Sequence, residues 1–242
     1  MLQESNATPG LMLSDINLLT QEECSKVCSV VYGLKEFWIQ RHPLLPFYTL
    51  GAASYLDAAS GGSDYYGKAK RYNPILRDHF AWLYKRLADT LAHQLGANLV
   101  YRDTFARPGF HIFLAHKAFE QPMASIHRDL QFQLLDWESS EEVNFANPIS
   151  FTLTISLPKL GGGLNLWNIY HEDIDGLIQS EITQLVRSRE KKFYPYEVGK
   201  LVLISGLQLH QISQGQKLLP GDARITLQGH GLLCQDTWQL YW

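Results

Sequence analysis

From residue 98 to residue 234 the chain reads as a succession of short runs rich in β-branched and aromatic residues, each stopped by turn residues: NLVYRDTFA, GFHIFLA, ASIHRDLQFQLL, PISFTLTISLP, GGGLNLWNIY, YPYEVGKLVLIS, LQLHQIS and ARITLQGHGLLC. No other feature limits the possible folds so strongly. Strands this short and this evenly spaced point to a sandwich or barrel. One segment interrupts them, IDGLIQSEITQLVRSREKK, which reads as a helix inserted between strands.

The part before residue 98 has a different texture. Thr20 with Glu23 three residues on makes a capping box, and Gly33 is a plausible stop. On that helix Cys24, Val27, Cys28 and Val31 share one face. In NPILRDHFAWLYKRLADTLAHQLG, Asn73 reads as a cap, Pro74 suits the first turn, and Leu76, Phe80, Leu83, Leu87 and Leu91 form an apolar stripe ending at Gly96. Such a stripe needs a flat surface to cover. Between the two helices, residues 37–72 are rich in aromatics, Gly and Pro, and read as loop and short strand forming one wall of a pocket. No repeat or linker divides the chain. The expected architecture is one domain over 1–242, mainly β with N-terminal helices: residues 1–97, mostly helical, pack on the outer face of a jelly-roll spanning 98–242.

Composition narrows the function. With 242 residues, 45% hydrophobic and 19% charged, the chain can bury a full core. A formal net charge of -3 and the absence of any Lys/Arg-rich run argue against nucleic acid or an anionic membrane as partner. MLQESNATPGLMLSDINLL lacks a charged segment followed by a long apolar one, and nothing later approaches the length of a membrane span, so a soluble, cytoplasmic protein is expected. The three cysteines make a disulfide framework improbable; Cys24 and Cys28 read as buried thiols, and Cys234 has no partner motif.

Chemistry concentrates in SIHRDLQFQLL, residues 125–135. In a strand, residues two apart project to one face, so His127 and Asp129 point together and Arg128 points away. An imidazole with a carboxylate suits Fe(II), and a second histidine would complete a 2-His-1-carboxylate triad with open positions. His210 in GKLVLISGLQLHQIS is the best candidate, because the Ser205-Gly206 turn can bring the next strand back into a barrel mouth. Read instead as a buried ion pair without further partners, His127 and Asp129 would be costly. DARITLQGH places Arg224 and Thr226 on one face, a guanidinium fork beside a hydroxyl, which fits the carboxylate of a dicarboxylic co-substrate. His111 shares a face with Phe113 and is placed to line a pocket, and Asn165 and Trp167 share a face near the expected barrel mouth. His116, His171 and His230 receive no role. Ser205, His210 and Asp222 lack the Gly-x-Ser-x-Gly turn of a hydrolase nucleophile.

The ordered set His127-x-Asp129, His210 and Arg224-x-Thr226 resembles the Fe(II)/2-oxoglutarate-dependent dioxygenase superfamily. GFHIFLAH, PISFTLTISLPKLGGGLNLW and GHGL narrow the likeness to its free-standing hydroxylases and halogenases of alkaloid and amino-acid metabolism. The resemblance implies a double-stranded β-helix (jelly-roll, cupin-like) and a catalytic Fe(II) on His127, Asp129 and His210. It also implies 2-oxoglutarate with its distal carboxylate on Arg224 and Thr226, O2 as oxidant, and ascorbate as reductant in vitro. His111, Asn165 and Trp167 are the further candidates for the co-substrate pocket. The implied reaction is hydroxylation of an aliphatic C–H of a small molecule (an amino acid, alkaloid or other natural-product intermediate), with 2-oxoglutarate converted to succinate and CO2. Halogenating members carry glycine in place of the carboxylate ligand, so Asp129 disfavours a halogenase; a non-catalytic metal- or ligand-binding jelly-roll is the other alternative. Oligomeric state stays open.

Overall fold

The computed structural model describes residues 13–58, 63–122, 124–137 and 142–242. The first part of the N-terminal stretch read above as free of a leader segment, residues 1–12, lies outside these, as do residues 59–62 of the aromatic-rich segment. In chain order the elements are β1 (Ser14–Asn17), α1 (Gln21–Gly33), β2 (Ile39–Gln40), β3 (Phe47–Leu50), α2 (Ser54–Asp57), α3 (Ser63–Leu95), β4 (Asn98–Tyr101), β5 (Gly109–Leu114), β6 (Val143–Ser156) and β7 (Gly163–Trp167). They continue with α4 (His171–Ile174), α5 (Gln179–Ser188), β8 (Lys191–Pro195), β9 (Lys200–Ser205), β10 (His210–Ile212), β11 (Ala223–Cys234) and β12 (Thr237–Tyr241).

Two sheets form, as a jelly-roll requires. The larger runs β1-β9-β6-β11-β5-β3-β2, with β12 on the far half of β11 and β4 beside β12; the smaller runs β10-β7-β8. All pairs are antiparallel except β12 with β4. Period-2 alternation sorts the side chains. Leu153, Leu201, Leu203, Ile225 and Leu227 join one core with Leu76, Phe80, Leu83, Leu87 and Leu91 of α3 and Cys24, Val27 and Val31 of α1. The stripe predicted for the helix therefore covers the outer face of the large sheet. Those α3 leucines are 0% exposed, so truncating any one to Ala should cost about 2–5 kcal/mol. On the alternate parity, Val202 and Ile204 meet Leu164, Leu166 and Tyr196 between the sheets.

The helix starts and stops are partly as expected. Thr20 and Glu23 form the reciprocal capping box, at 3.2 and 2.9 Å. Gly96 follows α3 with φ of +67°, the left-handed conformation that glycine adopts without a Cβ clash. The reading of Asn73 as a cap is corrected: α3 begins ten residues earlier, and Pro74 lies inside it. Tyr65, Ala69 and Tyr72 are buried and hold the extra turns. Asn73 instead brackets the loop ahead of β5, donating to the Phe105 carbonyl (2.8 Å) and accepting the Arg107 amide (2.9 Å). Pro74 has no N–H for the preceding turn, and the helical dihedrals break at Phe80 (φ −126°, ψ 24°).

The N-terminal part is less purely helical than its sequence suggested, because β1 and β3 pair into the large sheet. The inserted segment does fold as helix, α4 and α5, and Ile182, Leu185 and Val186 pack on Trp167, Ile169, Ile174 and Leu209. Among the described residues no helix is long and apolar enough to cross a membrane.

Candidate metal centre

The HRD segment is not the regular strand expected over 125–135. Only His127 bridges to a strand neighbour, and after Asp129 the chain turns into a short 3-10 helix, Gln131–Leu134, that buries Phe132. What orders it is backbone pairing: His127 and His210 exchange amide-to-carbonyl bonds of 3.0 and 2.9 Å, and the Asp129 amide donates to the Gly206 carbonyl at 2.7 Å. Gly206 is in turn tied to the Pro148 carbonyl, so the Ser205-Gly206 turn brings β10 back beside the HRD segment. Although the regular strand is absent, His127 and Asp129 still point together, since both amides bond to the same returning segment, residues 206–210.

His127, Asp129 and His210 each present one ligand atom, and the three atoms lie within 4.8 Å of one another. Asp129 lies 3.6 Å from His127 Nε2 and 3.4 Å from His210 Nε2. Both imidazoles have Nδ1 against a carbonyl two residues back, His127 at Ser125 (2.7 Å) and His210 at Gln208 (2.8 Å). Those contacts fix the tautomer with the proton on Nδ1, which leaves the Nε2 lone pairs facing the same point. The carboxylate is held too: Ser150 Oγ donates to one oxygen at 2.5 Å and Gln131 Nε2 to the other at 3.0 Å. Burial alone would raise the Asp129 carboxyl, but the imidazoles of His210, His230 and His127 and the Ser150 hydroxyl hold it far below the usual carboxylate range. Burial also depresses His210 despite Asp129 beside it, which favours a neutral His210 imidazole beside the Asp129 anion, as a divalent cation needs.

His230 belongs to this cluster although local sequence pattern assigns it no role. It is buried on β11, its Nδ1 lies 3.1 Å from Ser150 Oγ and 3.8 Å from Asp129, and it lines the cavity. The signal was present in the sequence: Arg224, Thr226, Gln228 and His230 share one parity along a single strand.

Arg224 is buried within the barrel, 3% exposed and flanked by the rings of Phe113 (5.7 Å) and Tyr196 (5.6 Å); neither it nor Thr226 is among the residues that line the cavity holding the three donors. Among the described residues none of its three guanidinium nitrogens has a hydrogen-bond partner, and the buried hydroxyls of Thr226, Thr154 and Ser213 are likewise unpaired. Thr226 sits opposite Thr154 on β6 and His111 on β5, so these polar groups form a row across three strands. A buried cation with no counter-charge costs several kcal/mol, and a carboxylate is the ligand whose geometry matches the fork. The donors present therefore fit both groups expected here: a divalent metal on two imidazoles and a carboxylate, and a dicarboxylate anchored on Arg224.

The remaining candidates divide. His111 lines the cavity, with Nε2 against the Tyr55 hydroxyl at 2.5 Å; burial, then Arg224 and Arg41, push its pKa well below the ordinary imidazole value. Tyr55, on α2, is a cavity residue that sequence reading did not single out. Asn165 and Trp167 are not among the cavity-lining residues, because β7 turns Leu164 and Leu166 inward. Asn165 donates to Gln211 at 3.2 Å, and Trp167 packs under the α4–α5 insert. The cavity itself has a volume of about 510 Å³, with Leu130, Leu134, Leu164, Val202, Ile204 and Ile212 among its walls.

No protein-family model matches the chain, and no curated protein matches it. Solved structures do. An N-substituted L-amino acid dioxygenase from Burkholderia ambifaria AMMD superposes with a TM-score of 0.58 at 14% identity, covering 95% of this chain and 85% of that one, and its complex with alpha-KG gives 0.56. SnoN and SnoK, a non-heme alpha-ketoglutarate-dependent epimerase and carbocyclase of nogalamycin biosynthesis, give 0.53 at 10% identity and 0.52 at 13%. SnoN covers 91% of this chain and 77% of its own, and SnoK 93% and 79%. The chain shares their jelly-roll fold.

Proposed function

We propose that this protein is an Fe(II)/2-oxoglutarate-dependent oxygenase that hydroxylates an aliphatic C–H of a small molecule. The observation that carries this is the pairing, within one barrel, of three metal-donor atoms inside 4.8 Å with a buried guanidinium that has no partner among the described residues. Three donors alone would serve a metal that only binds, and a lone buried guanidinium would serve any small anion; together they match a metal and an anionic co-substrate. The solved structures that share the fold include enzymes described as dioxygenase, epimerase and carbocyclase, which supports the cofactor pair and leaves the reaction outcome to the site's own residues.

His127, Asp129 and His210 would hold Fe(II), with Ser150 and Gln131 fixing the carboxylate. Arg224 would bind the distal carboxylate of 2-oxoglutarate, with Thr226 donating beside it. When bound, iron, 2-oxoglutarate and O2 supply the oxidation of a C–H bond, and 2-oxoglutarate leaves as succinate and CO2. The protein contributes position and exclusion of bulk water: the metal donors are set by backbone pairing, and apolar walls surround the space above them. Asp129 favours hydroxylation over halogenation, because it fills the position that a halide would need.

The test is succinate formation from 2-oxoglutarate with Fe(II), ascorbate and O2, compared among the wild type, Asp129→Ala and Arg224→Ala. Succinate from the wild type and its loss in both variants is expected. Equal activity in all three would end the proposal, and a chlorinated product in chloride buffer would replace hydroxylase with halogenase.

A further inference from the structure

The residue between the two metal ligands has its own place in the cavity. Arg128 alternates away from His127 and Asp129, yet it lines the same cavity and is half-buried there. Among the described lining residues it is the one Lys or Arg, and the one carboxylate, Asp129, is turned to the metal centre. The Arg128 guanidinium is held from one side by His171 Nδ1, at the first residue of α4. No carboxylate of the described residues lies within ion-pair distance of it; Asp175 acts on it only through space. A guanidinium bonded at one nitrogen, half removed from water and without a counter-ion among the described residues has further donors left to pair. The same cavity has apolar walls, Leu130, Leu134 and Ile212 among them.

We infer that Arg128 is the substrate-anchoring residue of this cavity, and that the substrate class is a small carboxylic acid with an apolar body. The carboxylate pairs with the Arg128 fork while the apolar part fills the space between Leu134, Leu164 and Ile204 and presents a C–H toward the metal. A neutral or cationic substrate would leave the guanidinium unpaired in a partly dry site, a penalty that a carboxylate removes. The α4–α5 insert gains a role by the same argument, since His171 sets the orientation of the fork. This inference rests on the oxygenase reading for the identity of the cavity as a substrate site.

The experiment uses the full chain loaded with Zn(II) in place of iron and saturated with 2-oxoglutarate, so that Arg224 and the metal positions taken by 2-oxoglutarate are closed to a second acid. Ligand-detected NMR then compares 4-methylpentanoic acid, 3-phenylpropanoic acid and N-acetyl-leucine with their primary amides. A charge-assisted pair predicts acids bound about 10- to 100-fold more tightly than amides. Arg128→Gln should erase that preference and Arg128→Lys should restore part of it, with melting temperature unchanged. Acids and amides binding alike, an acid preference that survives Arg128→Gln, or no binding by any acid of the panel would each overturn the inference. Failure of the wild type to bind Zn(II) or 2-oxoglutarate would instead count against the oxygenase reading, so the two failures are distinguishable.

Discussion

His127 and His210 face each other across an isolated antiparallel bridge, each donating its amide to the other's carbonyl. In such a hydrogen-bonded pair the Cα atoms lie about 5.5 Å apart and the side chains leave the same face. Two candidate metal donors from remote parts of the chain are thus positioned by main-chain bonds, and Asp129 follows from its spacing to His127.

Removing any of the three donors should abolish tight metal binding without unfolding the chain. Adjacent supporting groups cost 10–100-fold in affinity when lost, so a direct ligand should cost more than about 100-fold. Co(II) titration of His127→Ala, Asp129→Ala and His210→Ala, followed by absorbance, measures this. In the wild type, metal at a hundred times its Kd should add about 2.7 kcal/mol of stability, and chelation should remove it.

Ser150 and His230 support Asp129 without touching the ligand position of the imidazoles. Ser150→Ala and His230→Gln should each weaken Co(II) binding about 10–100-fold and alter the d–d spectrum, while 2-oxoglutarate affinity in the metal-loaded protein changes little. An unaltered spectrum and affinity would assign the pair to packing alone.

Arg224 carries a buried charge with no counter-charge among the described residues of the ligand-free protein. Arg224→Met should therefore raise the stability of the ligand-free chain, by about 1–4 kcal/mol if the apolar side chain packs well, and should abolish the stabilisation that 2-oxoglutarate gives the wild type. Denaturant unfolding with and without 2-oxoglutarate reads both effects. A destabilised variant that still responds to 2-oxoglutarate would contradict the assignment.

Asp57 anchors the segment that carries Tyr55. Its carboxylate takes a bidentate pair from Arg41 (2.6 and 2.8 Å), a bond from Lys68 (2.7 Å) and the Ala53 amide (2.9 Å) while 1% exposed. Burial alone would raise its pKa, but Arg41, Lys68 and the amide bring it below the ordinary value. The folded value is then lower than the unfolded value of about 3.9, so the stabilisation is complete above the unfolded value and is lost as pH falls through the folded one. Urea unfolding should show that loss on the acid side. Asp57→Asn should cost about 3–5 kcal/mol near neutral pH, because it leaves Arg41 buried without its anion.

Several parts of the molecule were legible from local pattern. Thr20 and Glu23, the α3 stripe and the short β runs each follow from spacing alone, because capping and period act over a few residues. The metal triad was legible as a set of types in order, and Arg224 with Thr226 as neighbours on one strand face. Other parts were not. Asn73 has the composition of a cap, yet its amide is used by the loop at Phe105 and Arg107, and nothing near position 73 announces that. Asn165 and Trp167 share a face as expected, but which face looks inward depends on how β7 lies between β8 and β10.

The sequence by itself determined which side chains could do chemistry and which way each turns relative to its neighbours on the strand, since covalent geometry makes those relations local. Only the tertiary structure decided that β10 returns beside the HRD segment, that His230 comes up against Ser150 and Asp129, and that Arg128 lines the cavity beside His171. Those are distances between segments far apart in the chain, fixed by sheet register and by which faces the helices cover, and no local pattern contains them.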